Sequence, residues 1–269
     1  MISFPNAKIN LGLKITGKRP DGYHTLQSLM IPIGLCDILE FVESERDAFN
    51  TSGLPVPGEI RNNLVIKALE IIRKVHKIPP LNVHLHKIIP MGAGLGGGSS
   101  DGAMMLKMLN SYFNLGITES ELFKMAAALG SDCSFFVRNT GALVSGTGDI
   151  SEPFEHNLSG YHLLLIDPGF PVSTADAYAG VVVNNDPSDL RPVLAGDIKD
   201  WKVMLMNDFE QNVFSKFPVL AEIKNKLYDH EAIYAAMSGS GSTIFGIFGR
   251  EPELSKDLDK MVLFREKIK

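Results

Sequence analysis

Pro90-Met91-Gly92-Ala93-Gly94-Leu95-Gly96-Gly97-Gly98-Ser99-Ser100-Asp101 is the stretch on which the reading of this chain turns. Five glycines fall within the seven residues 92–98, and the segment then enters the periodic pattern of a helix. Glycine removes side-chain bulk, so several backbone N–H groups can turn toward one anion. A helix start adds unpaired N–H groups and the positive end of the helix dipole. Together these features make a phosphate cradle.

Two widespread cradles fit it poorly. A Walker loop needs Gly-x-x-x-x-Gly-Lys-[Ser/Thr], and counting from Gly92 the lysine position falls on Gly98. The dinucleotide pattern Gly-x-Gly-x-x-Gly is present as Gly92, Gly94 and Gly97. It requires a following strand that ends in an acidic residue. Two helical patterns follow instead, with Glu119 and Glu121 in the first turn of the second. A plain flexible linker would not be held between a clean strand pattern and a clean helix pattern.

The 269 residues suffice for one large or two moderate domains. A net charge of −5 argues against a general nucleic-acid binder, so anionic ligands must be met by local groups. The N-terminus has no signal-peptide pattern and no apolar run is long enough to span a membrane. Cys36 and Cys133 lack CxxC spacing and read as reduced thiols, which points to a cytoplasmic protein.

Along the chain, residues 9–15 alternate apolar and polar as in a half-buried strand, and Pro20-Asp21-Gly22 marks a turn. Strands are expected over 26–33, 37–42 and 81–89, with an exposed loop or ragged hairpin over 44–60. A helix is expected over 63–76, with Leu64, Ala68, Ile71, Ile72 and Val75 inward. Another runs over 99–113, with Met105, Met108, Leu109 and Tyr112 inward. Thr118 and Glu121 predict a capping box for a helix that ends at Gly130. A strand pair starts at Ala142, and an apolar strand over 161–166 stops at Asp167-Pro168-Gly169. The remainder reads as helix-rich up to the glycine cluster 238–242, which feeds a strand over 244–248, and a helix closes the chain. His84 and His86 share one strand face, but no third ligand stands out, so an ordinary solvent-facing strand is the better reading and no metal site is expected.

Residues 90–100 resemble the ATP-binding loop of the GHMP kinases, the superfamily of galactokinase, homoserine kinase and mevalonate kinase. Pro5-Asn6-Ala7-Lys8-Ile9-Asn10-Leu11-Gly12-Leu13, followed by Arg19-Pro20-Asp21-Gly22-Tyr23-His24, is similar to one branch of that superfamily. Its members phosphorylate a cytidine diphosphate-linked sugar alcohol in the non-mevalonate route to isoprenoid precursors. The resemblance implies a two-domain α+β fold, with a ribosomal-protein-S5-like N-terminal domain over 1–155 and a ferredoxin-like C-terminal domain over 156–269. It implies ATP held by Pro90, Met91, Gly92, Ala93, Gly94, Leu95, Gly96, Gly97, Gly98, Ser99 and Ser100, with Mg²⁺ between the phosphates.

By the same resemblance, Asp132 matches the catalytic aspartate that accepts the hydroxyl proton, and Lys8 matches its partner, which stabilises the transferring group. Asn10, Tyr23, His24, Thr174 and Tyr178 match substrate-binding positions, with His24 reading the cytosine edge and Tyr178 stacking on the base. The expected partner is a small-molecule substrate, with no nucleic acid and no membrane. Plain structural roles stay open for several of these: a turn or N-cap for Asp132, a solvated lysine for Lys8, a core position for Tyr178. Where many family members carry Val-Pro after the aspartate, this chain has Cys133-Ser134, which frees the local backbone. A sister kinase acting on homoserine or mevalonate would lack the Asp-Gly-Tyr-His element, and a non-catalytic nucleotide sensor would be expected to lose Lys8 or Asp132. This chain keeps all of them.

Overall fold

A computed structural model of the protein describes residues 1–181, 183 and 189–268. Its strands in chain order are β1 (Ile2–Ser3), β2 (Asn6–Lys18), β3 (His24–Cys36), β4 (Ile38–Glu43), β5 (Ala48–Gly53) and β6 (Leu81–Lys87). They continue as β7 (Ala142–Ser145), β8 (Ile150–Pro153), β9 (His162–Ile166), β10 (Tyr234–Met237), β11 (Ile244–Phe248) and β12 (Val262–Lys267). The helices are α1 (Leu64–Arg73), α2 (Gly97–Tyr112), α3 (Glu119–Leu129), α4 (Cys133–Arg138) and α5 (Thr174–Tyr178). After them come α6 (Arg191–Leu194), α7 (Trp201–Met204), α8 (Phe209–Lys216), α9 (Pro218–Asp229) and α10 (Lys256–Asp259). Among the described residues no helix is long and apolar enough to cross a membrane. The backbone packs as two units that interleave along the chain. Met1–Lys8, Gly34–Met91 and Gly96–Thr140 form the first; Ile9–Ile33, Gly92–Leu95 and Gly141–Lys269 form the second.

In the first unit the strand order is β1-β4-β6-β5, with β5 parallel to β6 and the other pairs antiparallel. Leu39, Phe41, Val83 and Leu85 alternate inward, as a period of two requires, and join Val65, Ala68, Leu69 and Ile72 of α1 in one core. Met105, Leu106 and Leu109 of α2 complete it. Each such aliphatic side chain contributes about 1.5–3 kcal/mol by leaving water. Asn63 caps α1 by accepting from the Val65 N–H, and the Thr118–Glu121 capping box opens α3 as expected.

Three expectations in this unit need correction. The stretch 44–60 contains β5, whose Ala-Phe-Asn-Thr-Ser-Gly sequence offers little apolar alternation. Its pairing with β6 makes it a strand, a tertiary effect that overrides weak local preference. Val75 lies beyond the end of α1 and is exposed, so it does not belong to the inward stripe. Tyr112 is 43% exposed at the last turn of α2, where its hydroxyl donates to Glu43 at 3.2 Å.

The second unit holds two sheets, β2-β3-β7-β8 and the wholly antiparallel β10-β11-β9-β12. β2 is buried on both faces from Ala7 to Leu13 instead of half-buried, because its polar members are also packed over. The chain closes on β12, not on a helix. Val262–Lys267 pairs along β9 with a bulge between Val262 and Phe264, while α10 is a single short turn before it. β10 also falls inside the stretch read as helix-rich. Its Tyr-Ala-Ala-Met sequence contains good helix formers, and pairing with β11 decides the outcome.

A buried ionic group fixes both ends of the glycine loop within the first unit. Lys87, the last residue of β6, places its ammonium between Asp37 and Asp101, at 3.1 Å from the latter's Oδ2, with all three side chains almost fully buried. Asp37 Oδ1 accepts the backbone N–H groups of Ile88 at 2.6 Å and Ile89 at 2.8 Å. Asp101 lies in the first part of α2, and its Oδ1 has no hydrogen-bond partner among the described residues. Burial pushes its carboxyl up to about 7; the Lys87 ammonium opposes this and the Asp37 carboxylate adds to it.

A carboxyl raised from 3.8 to about 7 on folding binds more protons folded than unfolded, so its contribution to stability is present at low pH and lost as pH rises through that window. We expect Asp101→Asn, which does not titrate, to remove this loss. The Tm of wild type minus that of the variant should fall from about pH 4.5 to about pH 7.5 and be flat above. Thermal denaturation across that range checks it, and a difference independent of pH would show that Asp101 stays ionised in the fold.

Candidate active site

In the first unit, Lys8 enters from β2 and Asp132 from the residue before α4. Lys8 Nζ lies 3.4 Å from Asp132 Oδ2, with the lysine 3% and the aspartate 29% exposed. Burial of the lysine rules out a solvated surface role. Asp132 has φ −79° and ψ −12° and makes no capping hydrogen bond, so its side chain is not spent on the helix it precedes. The Cys133-Ser134 departure leaves α4 intact, with Phe135 and Phe136 buried and in edge contact at 5.0 Å. Burial pushes the Cys133 thiol up to about 11, so it stays protonated and is no competing nucleophile.

The helical end of the glycine loop lies beside this pair. Gly96 is left-handed at φ +70°, and a Cβ there would stand 3.1 Å from Lys8 Cε and 3.0 Å from Phe136 Cζ. α2 starts at the next residue, and its N-cap position, Gly96, supplies no side-chain cap. Its first N–H groups and its dipole therefore lie next to a buried ammonium, which together suit a polyanion. A cavity of about 180 Å³ adjoins Gly98 and Asp101 and is walled by Phe49, Val56, Pro57, Leu64 and Met91. Apart from Met91, the sequence does not mark these walls, because most lie in or beside the stretch 44–60, expected as an exposed loop or ragged hairpin. Leu54-Pro55-Val56-Pro57, a short apolar run within it, is the available signal.

In the second unit the other part of the loop, Gly92–Leu95, rests on the cluster 238–242. Ser238 Oγ donates to the Gly94 carbonyl at 2.9 Å, and the Thr243 N–H donates to the Ala93 carbonyl at 3.2 Å. Gly94 is left-handed at φ +76°, and any Cβ would overlap the Ser238 carbonyl oxygen. His24 and Tyr178 stack with centroids 5.1 Å apart and planes 25° apart, both half-buried, and Phe209 meets Tyr178 edge-on at 4.7 Å. Tyr23 is exposed beside them in sequence, and Thr174 Oγ1 lies 3.5 Å from Ser240 Oγ. Asn10 is buried and donates to Ser28 Oγ at 2.9 Å. His84 Nε2 and His86 Nδ1 both approach Ser52 Oγ, at 2.9 and 2.8 Å, on an outer sheet face. Among the described residues no group of three or more His, Cys, Asp or Glu side chains is arranged to hold a metal ion.

A phosphate loop opening a helix beside a lysine–aspartate pair is the arrangement of a small-molecule kinase, and comparison with known proteins agrees. Residues 63–140 match the GHMP kinases N terminal domain, and residues 190–264 match the GHMP kinases C terminal model. The chain belongs to the GHMP kinases. It is 48% identical over 248 residues to the 4-diphosphocytidyl-2-C-methyl-D-erythritol kinase of Parabacteroides distasonis, covering 92% of each chain. It is 44% identical over 274 residues to the enzyme of the same name from Bacteroides fragilis, covering all of both. A crystal structure of 4-(cytidine 5'-diphospho)-2C-methyl-D-erythritol kinase superposes with a TM-score of 0.78 at 30% identity, over 92% of this chain and 90% of that one. Within the superfamily the protein therefore belongs with the 4-diphosphocytidyl-2-C-methyl-D-erythritol kinases. The mevalonate kinase of Methanococcus jannaschii, at 14% identity and a TM-score of 0.67, shares the fold.

Gly98 gives a clean test of the cradle. A Cβ there meets only Met91 Cε, at 4.0 Å, whereas at Gly97 it would press on Lys87 Nζ and Ile89 at 2.8 Å. We expect Gly98→Ala to keep or slightly raise Tm, because alanine favours the helix by about 0.4–1 kcal/mol. The same methyl should crowd a bound phosphate and weaken ATP by roughly tenfold or more. Calorimetric titration beside a melting curve decides it, and unchanged affinity would count against phosphate binding at this helix start.

Proposed function

We propose that the protein transfers the γ-phosphoryl group of ATP to the 2-hydroxyl of 4-diphosphocytidyl-2-C-methyl-D-erythritol. The observation that carries this reading is the Lys8–Asp132 pair lying against Gly96 at the start of α2, in a chain whose relatives bear that enzyme's name. Residues 90–100 take the triphosphate, with backbone N–H groups of the loop and of the first turn of α2 as donors. The open cavity beside Gly98 offers an apolar seat for the nucleoside. Mg²⁺ would be held chiefly by the phosphates that residues 90–100 take, and would supply neutralisation of their charge.

The Asp132 carboxylate accepts the proton of the acceptor hydroxyl as its oxygen attacks phosphorus. Lys8, buried beside Gly96, sets a fixed positive charge where negative charge shifts onto the transferring oxygens. His24 and Tyr178 form an aromatic platform suited to a pyrimidine, with Tyr23, Thr174 and Asn10 as further substrate contacts. The division into an N-terminal kinase domain over 1–155 and a C-terminal one over 156–269 is supported by family matches falling on either side of that boundary. We read the protein as a cytoplasmic enzyme with a small-molecule partner and neither nucleic acid nor membrane. Release of ADP with the cytidylyl alcohol, with homoserine and with mevalonate tests the substrate, and activity confined to either of the last two overturns it.

Asp132→Asn keeps size and shape but accepts no proton at neutral pH. We expect kcat to fall by roughly 10²-fold or more with both KM values nearly unchanged. Lys8→Met should behave alike, and the double variant should be little worse than either single one, since the two act as a unit. Steady-state kinetics on variants shown to be folded makes the comparison, and strictly multiplicative losses would mean that the two residues act independently.

Removing the platform should have a different signature. His24→Ala and Tyr178→Ala are expected to raise KM for the cytidylyl substrate by roughly 5- to 100-fold, the scale of about 1–3 kcal/mol for one stacked base, and to leave KM for ATP alone. A matched rise in both constants would assign these rings to the packing of the second unit.

A further inference from the structure

Residues 205–210, Leu-Met-Asn-Asp-Phe-Glu, carry chemistry that the reaction as described above does not use. Asn207 is 3% exposed, and its amide is almost completely engaged. Its Nδ2 donates to the Met237 and Gly239 carbonyls, each at 2.8 Å, and its Oδ1 accepts the Phe209 N–H at 3.0 Å. Glu210 Oε1 accepts the Met237 N–H at 2.8 Å, while its Oε2 meets Lys224 Nζ at 2.6 Å. Met237 is therefore clamped at both backbone groups from one short segment. The opposite side of that segment is tied to β2: Leu13 N–H donates to Met206 O at 2.9 Å, Asp208 N–H to Leu13 O at 2.8 Å, and Ile15 N–H to Asp208 Oδ2 at 2.7 Å.

What Asn207 holds is the support of the phosphate loop. Gly239 and Met237 flank Ser238, whose hydroxyl donates to the Gly94 carbonyl and whose own carbonyl occupies the space a Gly94 side chain would need. Ser238 also accepts from Gly241 at 2.9 Å and donates its N–H to Thr243 O at 2.9 Å, and Thr243 reaches Ala93. Two residues on from Asn207, Phe209 is the ring that backs Tyr178 and thereby its stack on His24. A buried amide that spends both hydrogens on two carbonyls of one turn fixes that turn in one register, because losing either donor strands a buried acceptor.

We propose that Asn207 is a positioning residue for nucleotide binding: it acts through the turn 237–239 on Gly94, while Phe209, two residues on, positions the acceptor platform, so one segment sets both halves of substrate recognition through separable side chains. This rests on the phosphate-loop and platform readings above, and the primary assay uses binding of ADP, which needs no knowledge of the acceptor. Asn207→Asp has the same shape but turns a carboxylate oxygen toward two carbonyls. We expect it to weaken ADP by about tenfold or more at pH 8, and to recover part of that loss as pH falls toward about 6, where the protonated acid regains one donor. Wild type should show no such recovery.

In turnover, Asn207→Asp should raise KM for ATP and spare that for the cytidylyl alcohol, while Phe209→Leu should do the reverse. General loosening of the fold would raise both together, which overturns the proposal. Should Asn207→Asp fail to fold, Ser238→Ala removes the last hydrogen bond of the same chain of contacts and is decisive on its own: lowered ADP affinity sustains the proposal, and unchanged affinity in a folded variant overturns it. If wild type binds ADP normally but does not phosphorylate the cytidylyl alcohol, the proposed reaction fails while the ADP comparison still decides the role of Asn207.

Discussion

The glycine loop of this protein depends on the placement of one buried ammonium. Lys87 ends β6 and is held between Asp37, which also takes the N–H groups of Ile88 and Ile89, and Asp101, which lies on α2. The loop therefore leaves a strand and enters a helix whose ends are tied to the same charge. Removing one partner of such a group typically costs about 3–5 kcal/mol, because an uncompensated charge remains, whereas replacing the whole group by apolar residues is often neutral. Its value thus lies in specificity more than in net stability. An apolar cluster would hold the strand and helix together without dictating which atoms face each other, and the cradle proposed above, with backbone N–H groups turned to phosphate, needs that register.

How much of this was legible in the sequence follows from how local each feature is. The glycine loop, the capping box at Thr118 and the strand from 244 are fixed by neighbours within a few residues, and the structure has them where the pattern puts them. The Lys8–Asp132 pair was legible only through resemblance, since 124 positions separate the two and each alone reads as ordinary; the structure brings them to 3.4 Å. β5, β10 and β12 were lost for a shared reason. Each is short and is held by its pairing, with a strand remote in sequence for β5 and β12 and with the next strand for β10, so local propensity points elsewhere. Asp37, Asp101 and Asn207 were invisible as functional residues because nothing around them in the sequence marks a buried polar partner. Only the fold supplies Lys87 to the first two and the 237–239 turn to the third.

The glycines of residues 92–98 divide according to what excludes a side chain. At Gly94 it is the Ser238 carbonyl, at Gly96 the stem of Lys8 and the ring of Phe136, at Gly97 the Lys87 ammonium and Ile89. These three are demanded by the protein itself. A substitution at any of them would disturb the fold of the loop before it touched a ligand, so lost binding would say little about phosphate. Gly98 differs, because the protein leaves room for a methyl there and the helix would favour one. A position where both packing and propensity permit alanine, yet glycine stands, calls for an occupant that the chain alone does not contain. In the function proposed above that occupant is a phosphate, at the N-terminus of a helix whose dipole favours negative charge, in the unit that holds Lys8 and Asp132.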